Sequence, residues 1–386
     1  MNQYKQHNNK TEMEIMKLLR MKAAPLCMLA LAALFTACDD NDDDWSWENE
    51  GSQIELARTR GFVLNEGSYG ENNAHLSCFN YATDQIYGST TTDIYEIQNG
   101  RKIGDTGQDV IAYNGNLYMV VYNSNYVVKL NGVGKEEARI SFADKADLGQ
   151  VRNLAAGSGY IYVTSYGGYV SRLDANTLEY KGSVQVGQNP EQVTVLDGKV
   201  YCVNSGWGYD NRLSIIDEKS FDTAEQVEIM TNPQSVIATG GKIVICGYGS
   251  ADYTQYTNPV QVYDPKTGEC TEVGHGTNIA GHGNTVYIVN TTTDYSTQPY
   301  TGTTTVSSYD LKTGATNDNV LKNVPDEMKN ACAYGISVSD LTGDIYVCIT
   351  NYVWGDGTVY HFDSNGNYVG KFTSGGQNPK KLVFLN

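Results

Sequence analysis

Two sets of side chains recur along this sequence at positions where they could meet a ligand. The first is aromatic: Tyr69, Tyr122, Tyr126, Tyr166, Tyr169, Trp207, Tyr209, Tyr248, Tyr295, Tyr300, Tyr352 and Trp354 each follow or close a short β-branched run. Glycines flank them, as in YGGY, GWGYD, GYGS and VWGDG, and insertions at 250–258 and 291–304 bring Tyr253 and Tyr256. Rings in such loops cannot enter a strand core, apart from a share that packs between neighbouring units. A Tyr or Trp offers a flat apolar face and a polar tip, which suits an amphipathic ligand. The second set is polar: Thr106, Gln150, Asn189, Asn232, His275 and Asn378 occupy one repeat position, and Gln108, Arg152, Glu191, Gln234, Thr277, Tyr334 and Lys380 lie two residues on. Amides and mixed charges at these positions either bond a ligand's polar fringe or simply solvate a channel and cap strand starts. The ligand-binding candidates are Tyr122, Gln150, Arg152, Tyr166, Asn189, Trp207, Tyr209, Asn232, Tyr248, His275, Tyr295, Tyr352, Trp354 and Asn378.

Catalysis has weaker support. Beyond residue 38 the histidines are His75, His275, His282 and His361, with no H-x-x-x-H or H-E pair, and no G-x-S-x-G elbow occurs. Glu66, in LNEGSYG, could face a channel but has no evident carboxylate partner. The expectation is a binding protein that is not an enzyme, needs no cofactor and holds no metal.

These residues must be positioned by a repeating scaffold. In the stretch 187–217, GQNPEQVTVLDGKVYCVNSGWGYDNRLSIID, a polar loop leads into Val193–Leu196, an Asp197-Gly198 turn, Val200–Val203, a Gly/aromatic loop and Leu213–Ile216. Short β-branched runs joined by Asp-Gly are hairpin sequences. The pattern returns about every 43 residues. Second-strand pairs at Phe62-Val63, Leu117-Tyr118, Ile161-Tyr162, Val200-Tyr201, Ile243-Val244, Val286-Tyr287 and Ile345-Tyr346 give seven units. Third-strand ends at Asn80, Asn131, Asp174, Asp217, Asp264, Asp310 and Asp363 give the same number, and Asp or Asn there caps a turn. The fold expected is all-β: a seven-bladed β-propeller of four-stranded antiparallel blades. The first unit lacks a first strand and the chain ends on one, 377–385, so the C-terminal strand closes the ring. The aromatic loops and the polar ring then open on one face.

A formal charge of -17 excludes a phosphate-backbone partner and adhesion to anionic lipid by charge. Lys17, Arg20 and Lys22 precede an apolar run, 23–35, too short to span a bilayer, so residues 1–38 are a targeting segment. Its end, Leu34-Phe35-Thr36-Ala37-Cys38, resembles a bacterial lipobox, with Cys38 lipidated; Phe35 departs from the usual leucine. Residues 39–60 then form a tether that opens on an acidic run, and 61–386 the propeller. Of the six remaining cysteines, Cys202, Cys246 and Cys348 lie inside second-strand runs and pack as small hydrophobes.

The opening FVLNEGSYGENNAHLSCFNY and the GQNP…DGKVYCVN and YDPKTG units resemble the YncE-like propellers over roughly 61–386. Together with the lipobox and acidic tether they are similar to the BtuG-type surface lipoproteins. That resemblance implies capture of cobalamin or a related corrinoid at one propeller face and delivery to a BtuB-like TonB-dependent transporter. It implies a cell-surface protein of the outer membrane, held there only by its lipid anchor. A glycan-binding propeller lipoprotein and a propeller lactonase or lyase are the alternatives.

Overall fold

The structure, a computed structural model, describes residues 49–252 and 254–385. The chain divides into Met1–Glu50 and Gly51–Asn386, and the second unit holds the propeller. Cys38, the targeting segment, the acidic run at 39–44 and Tyr253 lie outside the described residues.

Seven four-stranded antiparallel sheets form the blades. Sandwiching between neighbouring blades explains their sequence texture. The second strand of the fourth blade, Lys199–Asn204, is buried along almost its whole length and reads KVYCVN. The outermost strand of the second blade, Glu136–Ser141, has one wet face and alternates burial residue by residue. Asp197-Gly198, Asn114-Gly115 and Ser158-Gly159 each place both turn residues at positive φ, the geometry that matches strand twist in two-residue hairpins. All seven Asp or Asn markers accept backbone N–H bonds within their own turns, at Asn80, Asn131, Asp174, Asp217, Asp264, Asp310 and Asp363.

Ring closure is as the sequence implies. Pro379–Leu385 is the inner strand of the first blade and pairs antiparallel with Arg60–Asn65, Val383 opposite Phe62. Adjacent inner strands are tied by side chains that bond the next blade's backbone. Asp109 Oδ2 accepts Leu154 N–H at 2.9 Å, Gln192 Oε1 accepts Val236 N–H at 3.0 Å, and Ser337 Oγ accepts Leu382 N–H at 2.9 Å. Second-strand tyrosines also cross the blade seams further out: Tyr118 OH donates to the backbone oxygen of Ala175 and Tyr162 OH to the Glu218 carboxylate.

Two elements differ from the sequence expectation. The stretch up to residue 60, expected as a tether outside the ring, is packed on it from Gln53 onward. Leu56 is buried in the core of the first two blades, Ala57 N–H donates to Tyr87 OH, and the Arg60 guanidinium donates to Gly132 O. Between the first two blades a short helix, Ile94–Asn99, replaces most of an outer strand; Asp93 caps it and Ile94 and Tyr95 are buried. Among the described residues the six cysteines are free, with Cys78, Cys202, Cys246, Cys332 and Cys348 buried and Cys270 exposed. Burial pushes the Cys246 thiol up to about 12.

Candidate functional site

The upper face carries the loops that enter the inner strands and those that join second to third strands. At the start of six inner strands the pairing register slips. The unpaired residues there are Gln108, Arg152 with Asn153, Glu191 with Gln192, Gln234, Tyr334 and Lys380. A β-bulge re-aims the side chain it carries, and these bulges deliver a polar collar to the mouth of the central channel. The sixth blade pairs without a slip, and Thr277 stands just before its inner strand.

The collar is charge-paired. Arg152 Nε donates to Glu191 Oε2 at 2.9 Å and Arg152 Nη1 to Gln108 Oε1 at 2.6 Å. Glu191 Oε1 also accepts Ser205 Oγ at 3.0 Å. Glu66, from the end of the first blade's second strand, accepts Tyr334 OH at 2.6 Å and lies 3.3 Å from Lys380 Nζ. One residue deeper, Lys381 Nζ is 2.8 Å from Asp109 Oδ1. Burial works against the Arg152 cation, but the Glu191 carboxylate outweighs it and holds the guanidinium above its ordinary range. Burial, opposed by Glu66, leaves Lys380 below the usual lysine range. Burial and Glu66 together push Tyr334 well up, so it stays a donor. The central channel, collar included, has a volume of about 670 Å³ and is lined by all seven inner strands.

Above the collar lies the aromatic rim. The Arg152 guanidinium is 5.5 Å from the Tyr122 ring and 5.3 Å from Tyr166, a cation–π arrangement. Tyr122 meets Tyr166 edge-on at 5.9 Å, and Tyr166 meets Trp207 at 5.4 Å. Across the mouth, Tyr300 contacts Tyr295, Tyr352 and Trp354 at 5.1, 5.1 and 4.6 Å. Tyr248 and Tyr256 pair at 4.7 Å on the fifth blade. Trp207 is 60%, Tyr209 86% and Tyr295 67% exposed, so the rim presents ring faces to solvent. Trp207 and Tyr352 adopt φ of 56° and 52°. Bulky residues rarely take that conformation, which costs about 1–3 kcal/mol each and concentrates at ligand clamps. The two sit on the fourth and seventh blades, on opposite sides of the mouth.

The residues of the amide ring expected beside Arg152 also hold loop backbone. Asn189, Asn232 and Asn378 take φ of 47°, 56° and 58° at the corner before each inner strand and are buried. Their carbonyls, like those of Thr106 and Gln150, accept the N–H at the start of the aromatic loop: Ser205, Tyr248, Glu66, Tyr122 and Tyr166. Asn232 Nδ2 donates to Ser250 O and Asn378 Nδ2 to Gly67 O. Asn tolerates the left-handed region, so these positions build the loop corner that holds the rim. His275 is not at a corner. It ends the fifth blade's outermost strand, exposed, with Nδ1 2.8 Å from Thr257 O. Tyr126, counted among rim aromatics, is buried under Arg139.

Among the described residues no three His, Cys, Asp or Glu are grouped to hold a metal ion, and no helix is long and apolar enough to cross a membrane. Fold and site together define a closed propeller with an aromatic-rimmed, charge-paired channel mouth on one face. The chain belongs to the family described as Domain of unknown function (DUF5074), whose model matches residues 60–384. Two solved structures share the fold. A quinonprotein alcohol dehydrogenase-like protein from Bacteroides thetaiotaomicron aligns with a TM-score of 0.57 at 15% identity, covering 86% of this chain and 80% of its own. Hydrazine synthase of Kuenenia stuttgartiensis aligns with a TM-score of 0.52 at 16% identity, covering 67% and 77%. No curated protein matches the sequence.

Proposed function

We propose that the upper face binds a broad, flat, largely uncharged ligand fringed with amides, and that this ligand is cobalamin or a related corrinoid. The observation that carries this reading is the rim: every blade sends an aromatic to one mouth, and Trp207 and Tyr352 are held in costly backbone conformations across it. Stacking on such rings serves the flat faces of a macrocycle. The collar's internal pairing leaves little net charge at the mouth, which suits a neutral, amide-rich ligand better than a strong anion. A rigid ring with preformed loops also limits the ordering cost of binding. The protein acts as a surface lipoprotein anchored through Cys38 that passes its cargo to a TonB-dependent transporter, without catalysing a reaction. Calorimetric titration of the full chain with cyanocobalamin tests this. Saturable one-to-one binding that persists in moderate salt is expected; absence of heat at micromolar protein, with binding of neutral oligosaccharides instead, overturns it in favour of a glycan-binding propeller.

A further inference from the structure

Trp207 stands in a backbone conformation that its own ring does little to hold. Its φ is 56°, it is 60% exposed, and its ring meets Tyr166 at 5.4 Å. Such a conformation persists only where the surroundings over-determine it, and a ring this wet is not pinned by a core. The loop that carries it closes on one residue. Gly208 N–H and Asp210 N–H both donate to Ser205 O, at 2.8 and 3.0 Å, and Tyr209 N–H donates to Gly206 O at 3.2 Å.

The Asp210 side chain is only 5% exposed, and each carboxylate oxygen accepts two bonds. Oδ1 takes Asn211 N–H at 2.8 Å and Arg212 Nε at 2.7 Å. Oδ2 takes Gln188 N–H at 3.3 Å and Arg212 Nη2 at 2.5 Å. One carboxylate thus ties the aromatic loop to the corner before the fourth blade's inner strand. Two parallel charge-assisted bonds tie it also to the start of that blade's third strand, Arg212–Asp217. Two glycines make room for it: a Cβ on Gly206 would lie 2.7 Å from Asp210 Cβ, and one on Gly187 2.6 Å from Oδ2. The backbone oxygen of Asp210 accepts Asn232 N–H at 2.9 Å, which latches the same loop to the fifth blade's corner. We propose that Asp210, clamped by Arg212, is a positioning residue: it presents nothing to the ligand and fixes the pose of the Trp207 ring. On the corrinoid reading, on which this inference rests for its purpose, a ring already in place lowers the ordering cost of binding.

The test uses the full chain labelled with 5-fluorotryptophan, its Trp207 signal followed by ¹⁹F NMR and assigned through Trp207→Gly. Asp210→Asn keeps the shape but loses the charge and one acceptor oxygen. The Trp207 signal should shift and broaden without ligand, while that of Trp354, across the mouth, stays in place. Calorimetry should show cyanocobalamin binding weakened several-fold, up to the about tenfold expected for losing the ring itself. Arg212→Lys keeps the charge without the fork and should move both readouts the same way, to a smaller extent; it carries the test if Asp210→Asn does not fold. In a Trp207→Gly background, Asp210→Asn should cost little further affinity, because the two residues act as one unit. A role in stability alone would lower the urea midpoint and leave the Trp207 signal and the affinity of the folded chain unchanged. That result overturns the proposal, as does a full additional loss of affinity in the Trp207→Gly background. A wild type that binds no cyanocobalamin strikes the corrinoid reading instead, and the ligand-free Trp207 signal still decides whether Asp210 sets the ring.

Discussion

Glu191→Gln keeps the shape of the collar and removes the charge facing Arg152. The two groups meet at 2.9 Å, with the Glu191 side chain 7% and that of Arg152 22% exposed. At an effective dielectric of about 20, unit charges some 4 Å apart attract by about 4 kcal/mol. The cost of desolvating the carboxylate offsets part of this, and Gln108 and two tyrosine faces still serve the cation. The expected loss of stability is therefore about 2–3 kcal/mol, below the 3–5 kcal/mol of a fully enclosed pair. Urea unfolding followed by tryptophan fluorescence reads the midpoint, and a cycle with Arg152→Met isolates the coupling. A loss under about 0.5 kcal/mol, the scale of exposed pairs, would refute the argument: the mouth would then be as wet as open surface, and its bulges would not build a preorganised collar.

Three further outcomes follow from the same structure. His361, stacked on Tyr346 and set between Asp84 and Asp344 at 2.8 and 3.3 Å, is raised above its ordinary value. Burial opposes that rise, and the two aspartates outweigh it. Its contribution is thus complete below the unfolded-state value of about 6.5 and fades as pH climbs through the folded value. The urea midpoint of wild type over His361→Gln should be widest near pH 6 and narrow by pH 8.5; a gap that widens with pH would contradict this. Deleting 377–386 strips the first blade of its inner strand and of Leu382, Val383 and Leu385, so cooperative unfolding should vanish in a thermal melt; a sharp melt would mean the ring closes without it. Trp207→Gly fits the left-handed φ and should leave the unfolding free energy unchanged or raised by up to about 1 kcal/mol, while weakening cyanocobalamin binding about tenfold for a lost stacking ring. Unchanged affinity would remove Trp207 from the site.

The blade number was legible because it rests on local chemistry that repeats: an Asp or Asn capping its own turn, and β-branched runs buried on both sides. Closure was legible too, since a first unit short of one strand and an extra strand at the other end of the repeat have one simple solution. Much less could be read of the site. The spacing that placed Arg152, Glu191 and Lys380 on one ring was right, but the bulges that turn them inward depend on pairing register, which a single sequence does not display. Asn189, Asn232 and Asn378 read as ligand amides in the sequence, and the backbone adds that they stand at positive φ; Asn-Pro at 189–190, 232–233 and 378–379 was the available signal of a corner. Glu66 was considered only as a lone catalytic acid, because its partners Tyr334 and Lys380 lie far away in sequence. The helix at 94–99 and the packing of Leu56 came from tertiary burial that short polar stretches do not announce.

The strand Arg60–Asn65 is flanked on both sides, by His75–Asn80 and by Pro379–Leu385. Tension arriving through the residues before it would run along its axis and load both ladders in shear, every hydrogen bond at once, instead of peeling them one by one. The strand Pro379–Leu385 is thus also a mechanical lock on Arg60–Asn65. A propeller held by its N-terminal side and dragged by flow would fail by breaking two ladders together.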